Sequence, residues 1–269
     1  MEGKLMKELA QNIEEGRRVA LVTLVEVSGS SPGKAGDMMT VLECGEIMGT
    51  VGGGNLEYQL ICEAKKAMDE NRNMEIEYDL GPNGTLKMEC GGKVRAYIKV
   101  FKEREKLVVV GGGHLGLELY TLGKFLNMHV AVLDDREEYA NSERFPLADE
   151  IIHGNIGENL KKYRLNRSSY VVVVTKGHAG DREAIEAVAG REIAYLGMIG
   201  SSRKIRKSYD ILMEKGVQRE ELDRVYAPVG LDISTGEPKE IALGIMAEIL
   251  KVKNEGSGKH MREIKGIEA

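Results

Sequence analysis

The apolar positions of this chain change period near residue 105, and the change divides it into two parts. In the first, Leu5, Leu9 and Ile13 recur at helical spacing over Leu5–Glu15, which predicts an amphipathic helix with one apolar stripe. Val19–Val27 reads as a buried strand. Met38–Leu42 and Ile47–Val51 are shorter strands around Glu43-Cys44-Gly45-Glu46, a hairpin turn with glycine available for positive φ. Leu56, Leu60, Ala64 and Ala67 or Met68 keep to one face of a helix over Asn55–Asn71, with Asn55 placed to cap it. Glu75–Leu80 and Lys93–Phe101 read as closing strands. The pattern predicts a mostly-β α+β domain over 1–101 carrying one good helix, followed by a charged linker, 102–106.

Beyond the linker, short apolar runs alternate with helical periods. Strands are expected at Leu107–Val110, His129–Leu133, Tyr170–Val174 and Ala194–Ile199, and helices at Leu115–Phe125, Ala184–Ala189 and Lys204–Glu214. Apolar strands alternating with helices imply a parallel sheet covered on both faces. The fold class is therefore α/β, with a Rossmann-like doubly wound sheet over 107–253 behind the first domain. Pro238–Val252 is a last amphipathic helix that starts with proline near its first turn, and 254–269 is a polar tail expected to fray.

The chemistry concentrates in loops. Gly111-Gly-Gly113-His-Leu-Gly116 follows a strand and opens a helix. Gly111 suits a tight turn, Gly113 a close approach to pyrophosphate, and Gly116 close helix–strand packing. Asp134 ends the next strand, where a carboxylate can take ribose hydroxyls, and Asp135 is a second candidate. His114 reads equally as a helix cap or a ligand contact. In an open α/β sheet, ligands gather at the carboxyl ends of the strands. Two more loops reach that edge. One is Thr175-Lys176-Gly177-His178, with Asp181 just beyond and His178 as a candidate proton shuttle. The other is Gly200-Ser201-Ser202-Arg203-Lys204, whose hydroxyls and cations suit an anion. The first domain offers Gly29–Gly36, Gly52-Gly53-Gly54 and Cys90-Gly91-Gly92 as cradling loops, without an evident acid/base pair.

Composition narrows the options. A net charge of −5 with no basic block argues against nucleic acid as a partner. The first residues lack an apolar signal core and the longest apolar runs are strand-sized, so no membrane span and a cytoplasmic location are expected. Three cysteines without CxxC spacing indicate neither a disulfide framework nor structural zinc. Cys62 is expected in the core of its helix and Cys44 in an exposed turn. Cys90, beside two glycines, is accessible enough to attack, carry sulfur or ligate a soft metal, and a purely structural role fits it equally.

Taken together, the motifs resemble those of the XdhC–CoxI family, the xanthine dehydrogenase accessory factors. The N-terminal match lies in Gly29-Ser-Ser-Pro32, Gly36–Met38, Gly49-Thr-Val-Gly-Gly-Gly54 with Leu56-Glu57, and Cys90-Gly-Gly92. The C-terminal match lies in Val110–His114, Val132-Leu-Asp-Asp-Arg136, Glu143-Arg-Phe-Pro146, Tyr195–Lys204 and Pro228–Ile233. The resemblance implies a carrier and not a turnover enzyme. Such a factor binds molybdenum cofactor, assists its sulfuration and inserts it into a xanthine dehydrogenase-type molybdoenzyme. A sulfur donor protein and a homodimer are further implied partners, the apolar face of Pro238–Val252 suiting the latter. Gly52–Gly54, Gly111–Gly116, Lys176 and Gly200–Arg203 would then hold phosphate or nucleotide, and Cys90 would meet the metal or its sulfur. Some members carry cysteine where this chain has Asn55, which leaves a thiol role to Cys90 or to none. The alternatives are an NAD(P)-dependent oxidoreductase built on Gly111–Gly116 and Asp134, and a docking module without a ligand.

Overall fold

A computed structural model describes residues 2–86, 91–101 and 104–266. The chain divides into two compact units, Met1–Arg104 and Glu105–Ala269. In the first, α1 (Glu2–Glu14) precedes β1 (Val19–Ser28), β2 (Met38–Leu42) and β3 (Ile47–Gly49). Then come α2 (Gly54–Asp69), β4 (Met74–Asp79) and β5 (Lys93–Phe101). The strands form one antiparallel sheet in the order β3-β2-β1-β5-β4. Strand β5 alternates strictly: Val94, Ala96, Ile98 and Val100 are buried while Lys93, Arg95, Tyr97 and Lys99 face out. That period of two marks a sheet with one covered face. The cover is α2, whose Leu56, Leu60, Ala64, Ala67 and Met68 join Val22, Leu24, Met39 and the β5 residues in one core. The helix begins one residue earlier than its apolar period predicts, with Gly53 at the cap position and no side-chain cap. Asn55 instead donates its amide to the Leu86 carbonyl at 3.2 Å. Cys62 proves exposed and not core, because its position falls outside the stripe that touches the sheet.

The second unit contains β6 (Lys106–Val110), α3 (His114–Phe125), β7 (His129–Asp134), β8 (Glu150–His153), α4 (Ile156–Lys162) and β9 (Ser169–Val173). It continues through α5 (His178–Val188), β10 (Tyr195–Met198), α6 (Ser202–Glu214), α7 (Arg219–Leu222), α8 (Pro238–Lys253) and the short exposed α9 (Met261–Ile264). Its five strands are all parallel, in the order β10-β9-β6-β7-β8. Numbered within the unit and read from the β8 edge this is 3-2-1-4-5, so the strand order reverses between β6 and β9, the switch point at which such sheets bind ligands. Successive strand residues feed opposite cores. Val108, Val110, Ala131, Leu133, Val171 and Val173 pack with α4, α5 and α6, whereas Leu107, Val109, Val130, Val132 and Val172 pack with α3 and α8. Burial on both faces is why these strands read as unbroken apolar runs.

Ala242, Ile245, Met246 and Ile249 of α8 belong to the second core, with Leu119 and Tyr120 of α3. The apolar face expected to support a homodimer is therefore buried inside this unit. A polar lock holds α8 to β10: the Glu248 carboxylate accepts from the Tyr195 hydroxyl and from the Gly230 amide at 3.0 Å. Tyr195 itself is almost fully buried and stacks on Tyr226, ring centroids 4.6 Å apart. Removing one donor from a largely enclosed carboxylate costs about 1–3 kcal/mol. Tyr195→Phe should lower unfolding stability by that amount in a urea titration; a loss below about 0.5 kcal/mol would show that water replaces the tyrosine.

Candidate functional site

The β6–α3 turn brings backbone very close to backbone. A side chain at Gly116 would stand 1.9 Å from the Gly111 carbonyl, and one at Gly112 would stand 1.9 Å from the Tyr139 carbonyl. Both glycines are thus required by the fold alone. Gly113 differs. It occupies the cap position of α3 with φ −65°, a value open to any residue, and a Cβ there would meet nothing within 4 Å. No neighbour in the fold requires glycine at this position. His114 is the first residue of α3 and exposed, so the cap reading for it falls to Gly113.

Asp134 does not present a free carboxylate. It is 2% exposed and accepts from the Gly112 amide at 2.7 Å, the Arg136 amide at 3.0 Å and the Arg136 guanidinium at 2.9 and 3.0 Å. A carboxylate offers about four lone-pair sites, and four are taken. Burial opposes its charge, but the hydrogen bonds from Arg136 and Gly112 prevail and hold the carboxyl below its usual range. The role expected of Asp134 toward a ribose is therefore replaced by bracing of the glycine loop. The neighbouring Asp135 keeps an exposed side chain. Two arginines that the glycine pattern did not single out line this turn. Arg136 lies over the Tyr139 ring at 3.8 Å, and Arg144 donates to the Gly112 carbonyl at 2.8 Å. Their only trace in the sequence is their place in the Asp-Asp-Arg and Glu-Arg-Phe-Pro motifs.

The other two loops of the sheet edge meet in one cavity of about 270 Å³. Its rim carries the exposed Lys176, Gly177, His178 and Lys204, and its interior the buried Asp181, Met198, Ile205 and Ser208. Ser201, Ser202 and Arg203 are exposed at the start of α6 beside it. Helices α3, α5 and α6 all begin at this edge, and none has a side-chain cap. By contrast, α4 is closed by the Asn155 side chain accepting from the Glu158 amide at 2.8 Å. First-turn amides have no intrahelical partner and carry the positive end of the helix dipole, so this edge favours an anion.

Asp181 and Ser208 have no counterpart among the residues expected to bind cofactor. Burial pushes the Asp181 carboxyl above its usual range, and the Thr175 hydroxyl, His178 and Arg182 draw it only part of the way back. The hydroxyl of Thr175 lies 2.6 Å from Asp181 Oδ1 and 2.8 Å from the Gly177 carbonyl. It has one proton for two acceptors.

In the first unit the glycine loops converge on each other. Gly92 lies against the Ser28 and Ser30 carbonyls, and Gly52 against Pro32 and Gly33. The expected cradle at Gly52, Gly53 and Gly54 is met by the chain's own carboxylate. Glu57 Oε2 accepts from the Thr50 hydroxyl, the Val51 amide at 3.1 Å and the Gly53 amide at 3.3 Å. Cys90 lies outside the described residues. Among those described, no group of histidine, cysteine and acidic side chains has the makings of a metal site, and no helix is long and apolar enough to cross a membrane.

The glycines separate by experiment. Gly116→Ala should destabilise by about 1–3 kcal/mol through overpacking, whereas Gly113→Ala should be neutral or stabilise by up to about 1 kcal/mol through the unfolded chain; equal losses in thermal denaturation would contradict the geometry. Asp181 supplies a pH test. Its raised folded pKa means that the folded state keeps the proton longer, so its contribution is full below the ordinary value near 3.8 and declines as pH rises through the folded pKa. Asp181→Asn should therefore melt higher than the wild type at pH 7 and equal to it at pH 3.5. A variant that melts lower at neutral pH would refute this.

Comparison with known proteins agrees with this architecture. Residues 107–249 match the XdhC Rossmann domain and residues 12–79 match the XdhC and CoxI family. Escherichia coli YqeB is 32% identical over 257 residues, covering 94% of this chain and 47% of YqeB. A Bacillus subtilis protein named as a probable xanthine dehydrogenase component is 27% identical over 157 residues, 58% of this chain and 46% of its own length. The chain thus spans about half the length of these two relatives. The molybdenum cofactor insertion chaperone PaoD of Escherichia coli is 24% identical over 290 residues, 93% of this chain and 88% of PaoD. A solved Bacillus halodurans protein described as a xanthine dehydrogenase shares the fold, with a TM-score of 0.53 at 21% identity over 96% of this chain and 98% of its own. With more than half of its length matched to the Rossmann domain of these proteins and its N-terminal part to their other domain, the chain belongs to the XdhC and CoxI family.

Proposed function

We propose that this protein is a maturation factor that binds molybdenum cofactor as cargo and delivers it to a xanthine dehydrogenase-type molybdoenzyme. The observation that carries the reading is Gly113. A glycine without strain or neighbours, at the start of an uncapped helix on the switch point, leaves room for a phosphate-bearing ligand. The cargo carries a phosphate, and Lys176, Ser201, Ser202 and Arg203 supply polar and cationic groups at the same edge. The name of PaoD, a molybdenum cofactor insertion chaperone, supports cargo of this kind, and that of the Bacillus subtilis relative supports the class of recipient. Cys90 is assigned contact with the molybdenum or its sulfur on thiol chemistry alone. Assistance with sulfuration, a sulfur donor protein as partner, a homodimer and a cytoplasmic location complete the proposal.

The rival is an NAD(P)-dependent oxidoreductase, favoured by the strand order and the glycine loop. With all the lone pairs of Asp134 engaged, ribose recognition would fall to Asp135. Equilibrium binding under anaerobic conditions decides between them. The wild type should bind molybdenum cofactor released from a purified hydroxylase, and Gly113→Val should bind it at least about 100-fold more weakly, a loss of about 2.7 kcal/mol. Equal affinity in the two proteins, or saturation by NAD(P) without cofactor binding, would overturn the assignment.

A further inference from the structure

The cavity between the β9–α5 and β10–α6 loops has a chemistry more specific than anion attraction. Met198, Ile199 and Ile205 supply the apolar part of a lining that is otherwise polar. Its interior carries two polar side chains with hydrogen-bonding capacity to spare. Ser208 is 4% exposed, lines the cavity, and none of the described residues hydrogen-bonds its hydroxyl. Asp181 is 7% exposed and is held by Thr175 alone, which leaves part of its acceptor capacity unused. Buried polar groups ordinarily use their hydrogen-bonding capacity in full, so two with capacity to spare in the lining of one cavity point to a binding site. The charges arranged around Asp181 are Lys176 and His178 from the β9–α5 loop and the start of α5, Arg182 from α5, and Lys204 from α6.

We propose that this cavity takes a 2-amino-4-oxopyrimidine ring, as found in pterins and guanine, with Asp181 and Ser208 reading its polar edge and Lys176 and Lys204 meeting a phosphate at the rim. Such a ring presents two adjacent N–H groups, at the ring nitrogen and the amino group, which match the two oxygens of a carboxylate. Its carbonyl accepts from the Ser208 hydroxyl. Met198 and Ile205 lie where they can pack against the ring faces. Two N–H donors favour the ionised carboxyl, so binding lowers the Asp181 pKa and releases a proton wherever the group is still protonated. The inference rests on the cofactor-carrier reading only for the source of the ring, since a pterin belongs to that cargo and guanine to a nucleotide.

The test is calorimetric titration of the full chain with 6-hydroxymethylpterin, with lumazine and with guanosine 5′-monophosphate. Lumazine has the shape of pterin but a carbonyl in place of the amino group. The wild type should bind the pterin at least about 10-fold more tightly than lumazine, because the analogue leaves the buried carboxylate unpaired. Asp181→Asn should abolish that preference, and Ser208→Ala should weaken pterin binding by about 3- to 10-fold, the loss of one hydrogen bond. Apparent enthalpies in buffers of different ionisation heat should reveal proton release in the wild type and none in Asp181→Asn. Tighter binding of the guanine nucleotide with the same dependence on Asp181 supports the ring-edge chemistry and assigns it to a nucleotide. No discrimination against lumazine, or full pterin affinity in a folded Asp181→Asn, overturns the proposal. These probes contain no molybdenum, so they report on the cavity whether or not the protein carries the metal cofactor. Conversely, cofactor bound equally by wild type and Asp181→Asn would remove the cavity assignment and leave the carrier reading standing.

Discussion

Everything at the sheet edge of the second unit depends on the buried carboxylate of Asp134 and the glycine turn it braces. The turn must reverse the chain within three residues and seat α3 against β6, which presses Gly116 onto the Gly111 carbonyl. Nothing in such a turn fixes it except backbone groups, and the Gly112 amide would otherwise be buried without a partner. Asp134 takes that amide at 2.7 Å. Arg136, two residues on, compensates the buried charge with a bidentate contact, and charge-assisted pairs of this geometry are among the stronger hydrogen bonds available to a protein. Arg144 holds the opposite side of the same residue through the Gly112 carbonyl. With the turn fixed from both sides, the first amides of α3 are aimed at solvent without a cap, and the exposed end of the helix is rigid.

The two buried acids of this unit show how one residue type serves opposite ends. Asp134 is saturated, its pKa lowered, and its charge is part of the fold. Asp181 is incompletely partnered, its pKa raised, and its charge weighs against the fold at neutral pH. A carboxylate that the folded protein would be more stable without is retained for another reason, and its position inside a cavity with cationic rim residues supplies one. The destabilisation is contained because α5 and α6, which carry the cavity, are anchored in the core shared with β6 and β9.

Much of this was legible in the sequence, and the exceptions have physical causes. The alternation of apolar strands with helices gave away the parallel sheet because strands covered on both faces have no polar phase. Strand β8 and helix α4 escaped for the converse reason. Glu150–His153 is a half-buried edge strand with two apolar residues, and Ile156–Lys162 is only seven residues long. The onset of α5 is hidden because its first turn is polar, yet that turn carries Asp181 into the interior. Asp134 is legible as a residue but not in its role, since an acid at the end of the second strand is equally placed for a ribose or for the turn beside it. Only the guanidinium of Arg136 decides, and a spacing rule does not see it. Ser208 had a signal, faint but real. With Ile205 and Leu212 it falls on the buried face of α6, where a hydroxyl in the apolar phase of a helix is a polar group placed in a core.

The first unit requires a different argument from the second. Its glycine loops converge as their composition suggests, and the start of α2 is a ready anion nest. Glu57 fills it from within the same helix, drawing on Thr50, Val51 and Gly53 together. An incoming phosphate would have to displace a carboxylate tethered one turn away, at an effective concentration no free ligand reaches. Open helix ends and unpaired polar groups are found instead at the edge of the parallel sheet. The close approach of Gly92 to Ser28 and Ser30, and of Gly52 to Gly33, serves in the first to hold the turn from Gly91 onward in a defined place.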